Sequence, residues 1–243
     1  MELQENERID DLGRRGYRII QNKKKFCFGV DAALLAWFAE VKAGERVIDL
    51  GTGTGIVPIL MDARNACGNY VGLEIQPDMA EMAARSVELN GIGDHVEIQE
   101  GDLKEASARF GKASFDVVTS NPPYMPAGSG LLNPDSAKNI ARHEILCDLD
   151  DVIREAAALL HPAGRFYLVH RPARLPGILK RMQENKLAPA RICFIHPFAD
   201  KEASMVLVAG KKGGNDIVKV EPPVILYKEP GVYTDRVWEI YNQ

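Results

Sequence analysis

Asn121-Pro122-Pro123-Tyr124 is the stretch whose residue types could do chemistry. Asn121 precedes a proline and is pushed toward extended backbone, and two consecutive prolines fix φ and remove two N–H donors. What is left is a stiff rim offering an amide side chain, backbone carbonyls and one aromatic ring. A planar group carrying –NH₂ suits such a rim. The Asn121 amide oxygen and the Pro122 carbonyl can accept its two hydrogens, while the Tyr124 ring lies on its face. Taken alone, the same four residues also describe a proline-rich turn with Tyr124 as ordinary packing, so the motif depends on its context.

That context begins upstream. Arg46 to Leu50 reads as a short β run, followed at once by Gly51-Thr-Gly-Thr-Gly55 and an apolar helix with Pro58 in its first turn. Strand, glycine-rich turn and helix form the start of a doubly wound nucleotide-binding sheet, with helix N–H groups turned toward a ligand. Tyr70 to Glu74 is a second strand. It ends in a carboxylate about twenty residues past the glycines, where an acid can hold ribose hydroxyls. Val96 to Gln99 is a third strand, and Asp102 after it could accept from the amino group of an adenine. Phe115 to Ser120 is the fourth, leading into Asn121.

The remaining elements follow from patterning. Residues 14–28 read as a basic hairpin turning near Gln21-Asn22 and carrying Arg14, Arg15, Lys23, Lys24 and Lys25. These are candidate RNA contacts, or equally a solvated charged surface. Asp31 is expected to cap an apolar helix, Ala32 to Ala39. Pro77 opens a helix that Gly91 stops. A polar, Gly/Pro-rich segment spans residues 127–138. A helix from Asp151 to Leu160, a strand from Arg165 to Val169, a helix near Leu175 to Asn185, and the strands Ile192–His196 and Met205–Ala209 complete the series. The tail, with Tyr227, Tyr233, Trp238 and Tyr241, is expected to fold back on the body. The fold class is therefore α/β: a doubly wound, mostly parallel, seven-stranded Rossmann-like sheet with an N-terminal hairpin/helix extension. Residues 1–40 form that extension, 41–212 the core and 213–243 a C-terminal extension, all in one compact domain.

Length and composition agree with one soluble domain: 243 residues, 46% hydrophobic, 26% charged. A net charge of −4 argues against nonspecific coating of nucleic acid but allows a local basic patch. Four scattered cysteines suggest neither zinc nor a disulfide frame, and no apolar run is long enough to span a membrane. A reduced, cytoplasmic protein is expected, as a monomer or weak homodimer.

Together these motifs resemble the class I S-adenosylmethionine-dependent methyltransferases that act on exocyclic or amide nitrogens. The resemblance extends through Phe28-Gly29-Val30-Asp31, Ala141-Arg142-His143-Glu144, Leu168-Val169-His170-Arg171 and Tyr233-Thr234 to the bacterial tRNA(Val) adenine-N(6) methyltransferase family. It implies S-adenosyl-L-methionine as cofactor and tRNA as partner, with no metal. It would place Asp49, Gly51, Gly53 and Gly55 around the methionine part and Glu74, with Ile75 beside it, at the ribose. Asp102 and Leu103 would face the adenine, Phe28 and Asp31 would close the pocket, and Asn121 would touch both cofactor and target. Asn121, Pro122 and Tyr124 would be the catalytic set. His143 and Glu144 follow the 127–138 segment and could help it dock. Rival readings are a release-factor glutamine amide, an rRNA guanine amine, or a noncatalytic cofactor- or RNA-binding module. A nicotinamide dehydrogenase is disfavoured because Gly51 to Gly55 lacks Gly-x-Gly-x-x-Gly spacing.

Overall fold

Alternation along the core strands decides which helices each face receives. Val47, Val117 and Tyr167 point to one side, and Ile48, Val118 and Phe166 to the other, all fully or almost fully buried. The computed structural model describes residues 2–25, 27–65, 68–123, 148–215 and 217–242. Two short strands, β1 (Glu7–Asp11) and β2 (Arg18–Asn22), precede helix α1 (Val30–Phe38). Strand and helix then alternate: β3 (Arg46–Leu50), α2 (Ile56–Asn65), β4 (Asn69–Glu74), α3 (Pro77–Asn90), β5 (Val96–Glu100), α4 (Ala106–Phe110) and β6 (Phe115–Ser120). Further along the chain come α5 (Leu149–Leu159), β7 (Leu160–His170), α6 (Leu175–Glu184), β8 (Leu187–His196) and β9 (Met205–Lys212). The tail forms β10 (Lys219–Val220), β11 (Val224–Ile225), β12 (Tyr227–Glu229), β13 (Val232–Tyr233) and α7 (Asp235–Asn242).

The main sheet has the order β10-β8-β9-β7-β6-β3-β4-β5, with β11 also paired to β8. Strands β3 to β9 are the seven expected. The β3–β4, β4–β5, β3–β6 and β6–β7 pairs are parallel, and β9 runs antiparallel between β7 and β8. Two-residue strands from the tail widen the sheet to nine, an addition too short to show in the sequence pattern. One face packs α1, α2 and α7 through Leu34, Leu35, Phe38, Ile59, Val237 and Ile240. The other packs α5 and α6 through Ile153, Leu159, Ile178 and Met182.

Several boundaries differ from the sequence reading: β7 and β8 each begin five residues earlier than expected, and β9 runs on to Lys212. The N-terminal hairpin turns at residues 12–17, where Gly13 and Gly16 have φ of 66° and 70°, and not at Gln21-Asn22, which close β2. Asp31 does not cap α1: Gly29 holds that position with extended backbone, and Asp31 lies in the first turn. Helix α5 begins at Leu149 because Asp148 and Asp151 form a reciprocal capping box. The Tyr124 ring, the 127–138 segment, His143 and Glu144 lie outside the described residues.

Candidate active site

In a doubly wound sheet, ligands collect at the carboxyl ends of strands where the order reverses. Here the reversal falls between β3 and its neighbours β4 and β6, so the glycine loop and the Asn121 loop flank one crevice. The loop after β3 is pinned by the Gly51 and Thr52 N–H groups, which both donate to the Leu73 carbonyl, at 2.9 and 3.0 Å. Gly51 and Gly53 have φ of 75° and 58°, and a Cβ on either would meet nothing within 4 Å. Their glycine requirement is thus conformational, and the space in front of them is open to a ligand. Gly55 differs, since its Cβ would lie 3.2 Å from the Ala83 Cβ of α3.

Glu74 is the acid of this loop. Only 4% exposed, it accepts at Oε2 from Gly53 N–H (2.8 Å) and at Oε1 from Gln76 N–H (3.0 Å) and Gln76 Nε2 (3.1 Å). A carboxylate has about four acceptor sites, so three protein bonds orient it and leave capacity for a ligand hydroxyl. Beside it, Ile75 keeps 36% of its surface exposed, an apolar plate next to a buried charge. Asp102 caps a short 3₁₀ turn by accepting at Oδ1 from Lys104 N–H (2.9 Å), and Leu103 in that turn is half-buried. A buried acid able to take hydroxyls, an apolar plate and an open glycine cradle fit a nucleoside cofactor.

On the other side of the crevice, β6 is bolted to β3. Thr119 Oγ1 donates to Asp49 Oδ1 at 2.6 Å, and Ser120 Oγ donates to the Leu50 carbonyl at 2.8 Å. Asp49 is buried, and that burial, ahead of the nearby Glu74 charge, pushes its pKa up to about 6. Asn121 follows directly. Its Nδ2 donates to Asp31 Oδ2 at 3.2 Å, and Asp31 Oδ1 accepts from the Ala32 N–H at 2.9 Å. With the amide –NH₂ directed at a carboxylate, the Asn121 oxygen is set as the outward acceptor. Pro122 is half-buried and Pro123 exposed. Phe28 is half-buried against the core, its N–H donating to Gln21 Oε1 at 3.0 Å. The Asn121 loop, Asp31 and the glycine loop thus meet, as the sequence reading expected of neighbouring first and fourth core strands. Thr119, Ser120 and Gln76 were missed. For Thr119 and Ser120 the available signal is a pair of hydroxyl residues closing the strand after Val117 and Val118.

The candidate RNA contacts divide. Arg15, Lys23 and Lys24 are exposed, and the Lys25 ammonium is paired with Asp78. Arg14 is a correction: it is buried under the tail, donates from Nη2 to the Ile240 carbonyl at 3.4 Å, and cannot reach a phosphate. A separate hollow of about 520 Å³ is lined by Val87, Gly91, Val96 and Glu97, on the amino-end side of β5 and away from this crevice.

The sequence profile of the methyltransferase-domain family matches residues 41–215. The chain belongs to that family. The expected enzyme class, an S-adenosylmethionine-dependent methyltransferase, and the expected doubly wound fold are borne out. A relative from Porphyromonas gingivalis, named a tRNA1(Val) (adenine(37)-N6)-methyltransferase, is 32% identical over 74% of this chain and 72% of its own. One of the same name from a Flavobacteriaceae bacterium is 28% identical over 90% and 91%. Among solved structures, a predicted O-methyltransferase from Agrobacterium tumefaciens aligns with a TM-score of 0.70 and 26% identity, covering 87% of this chain and 95% of that one. In this methyltransferase no described helix is long and apolar enough to cross a membrane.

Proposed function

We propose that this chain methylates the exocyclic amine of an adenine in tRNA, beside the anticodon, using S-adenosyl-L-methionine in the cytoplasm. The observation that carries the reading is the Asn121 amide, oriented by Asp31 at the mouth of the crevice shared with the glycine loop. The names of the relatives supply the substrate. In this reading residues 41–212 hold the cofactor, and residues 1–40 and 213–243 extend the side from which RNA approaches.

S-adenosylmethionine, when bound, supplies a methyl group on a positively charged sulfur, open to in-line displacement. The chain would hold it with the Glu74 carboxylate on the ribose hydroxyls and Ile75 and Leu103 against the base. Asp102 Oδ2 would face the adenine amine, with Gly51, Gly53, Gly55 and Asp49 at the methionine end and Phe28 and Asp31 closing the pocket. Asn121 Oδ1 and the Pro122 carbonyl accept the two hydrogens of the target amine. Positive charge grows on that nitrogen as it reacts, and two fixed neutral acceptors stabilise it without reorganisation. Holding the partners in line contributes on the order of 7–11 kcal/mol. The target base must leave its stack, and Tyr124 is the ring proposed to hold it.

The test is incubation of unmodified tRNA1(Val) with methyl-labelled cofactor, followed by mass analysis of the nucleosides, with a release-factor glutamine substrate alongside. Label on N6-methyladenosine is the expected result. Label on protein amide alone, or on guanosine, would replace this reading.

A further inference from the structure

The glycine loop, Glu74 and Asp102 give the carboxyl edge from β3 to β5 to the cofactor, which leaves the edge from β6 outward for the target base and its neighbours. Two strands beyond β7, β8 ends at His196 on this same edge, because β8 and β7 both run antiparallel to β9. The tail climbs beside it: β11 pairs in parallel with β8 up to His196, and the Tyr227 N–H donates to the Pro197 carbonyl at 3.0 Å. There the tail gathers aromatic rings. Tyr227 and Tyr233 are stacked at 5.1 Å and 12°, and Phe198 lies 5.8 Å from Tyr227. Trp238 stands edge-on to Tyr233 at 5.8 Å and 86°, and Tyr241 is 5.9 Å from Tyr233.

This group adjoins the Asn121 site. Helix α7 lies on α1, with Arg236 5.3 Å over the Trp37 ring at one end. At the other end, Tyr241 is near enough to Asp31 for its carboxylate to add to burial and Tyr233 in raising the phenol pKa. Asp31 in turn holds Asn121. Most rings of the group are half-buried, but Trp238 leaves 52% of its surface to water. Trp238 is thus the ring of this group most open to water, at the edge where the Asn121 site lies.

We infer that Trp238, backed by Tyr233 and Tyr227, is a stacking platform for an unpaired base of the RNA next to the one methylated. This rests on the reading of the chain as a tRNA methyltransferase. Single-stranded RNA is held mainly by aromatic faces, each of which accepts any base. The alternative occupant, a second copy of the chain, would need roughly 800 Å² per partner, whereas the exposed apolar tail residues Ile217, Val218 and Val220 lie toward the opposite end of β8, where β10 pairs with Arg191 and Ile192.

The chain has two tryptophans, so Trp37→Phe leaves Trp238 as the sole indole reporter. Adding unmodified tRNA1(Val) should quench its fluorescence. Trp238→Ala should raise KM for the tRNA by about 5- to 150-fold, with kcat and cofactor affinity near wild type, and Trp238→Phe should restore most of the affinity. Methylation by the wild type establishes the parent reading independently. If the wild type is active, an unchanged KM in Trp238→Ala, absent quenching, or a change confined to oligomeric state would each overturn the platform.

Discussion

The Asn121 side chain reaches 90 residues back along the chain to Asp31, donating from Nδ2 to Oδ2 at 3.2 Å. An asparagine amide can turn over to present either its oxygen or its nitrogen, and only the oxygen can accept from an amine. The carboxylate of Asp31 resolves that choice. Its Oδ1 takes the Ala32 N–H, and its Oδ2 serves Asn121.

Asn121→Ala should therefore lower kcat on the order of 10²–10³-fold, the effect expected when one preorganised polar partner of the transition state is removed. Fold and cofactor affinity should be largely retained. Asp31→Ala should lower kcat about tenfold, the effect of one hydrogen bond, and Asp31→Asn should fall between. Single-turnover methyl transfer checks the series, and full activity in Asn121→Ala would eliminate the mechanism.

Glu74→Ala should weaken cofactor binding roughly 10- to 100-fold, since hydrogen bonds to a charged group contribute about 1.5–3 kcal/mol. Two effects combine in it. The ribose acceptor is removed, and the Gly53 and Gln76 N–H groups are deprived of the carboxylate that sets the loop. Glu74→Gln should recover part of the affinity. Titration calorimetry reads this directly, and tight NAD binding by the wild type would contradict it.

What was legible in the sequence was local. Gly51 to Gly55, Glu74 and the Asn-Pro-Pro run carry their geometry in backbone rules that need no distant partner, and the alternation of strands with helices gives the doubly wound class. Polar Gln21-Asn22 suggests a turn, but Gly13 and Gly16, with positive φ, make it. The sequence suggests a surface cation at Arg14, because nothing nearby foretells the Ile240 carbonyl that covers it 226 residues later. The tail's aromatics were seen, but their placement beside Asp31 depends on β11 adding to the sheet through two residues.

The exposed cations give a graded test. Lys23→Ala with Lys24→Ala should weaken tRNA binding and reduce the slope of log K against log salt by about one for each phosphate the protein no longer neutralises. Lys25→Ala should do less, because Lys25 is already paired with Asp78. Binding measured by filter retention across a salt series separates the two. An unchanged slope in the double variant would make these lysines ordinary solvated surface.

Two buried groups should give opposite pH dependences of stability. Burial raises the Asp49 pKa from 3.8 to about 6, so between those values the native state keeps a proton that the unfolded chain has released. Asp49 therefore makes stability fall as pH rises through that window. His170, buried at the end of β7 with Arg174 and Arg171 nearby, has its pKa lowered from 6.5 to about 4. Between those values the unfolded chain binds the proton and the native state does not, so His170 makes stability rise with pH. Each slope can approach about 1.4 kcal/mol per pH unit, and the two nearly cancel where the windows overlap. Removing either group should expose the other. Relative to wild type, Asp49→Asn should gain stability as pH is raised from about 4 to 6, and His170→Asn should lose it from about 4 to 6.5. Urea denaturation of the cofactor-free protein at half-unit pH intervals measures both differences. Parallel curves for all three proteins would show that neither group titrates with a shifted pKa in the native state.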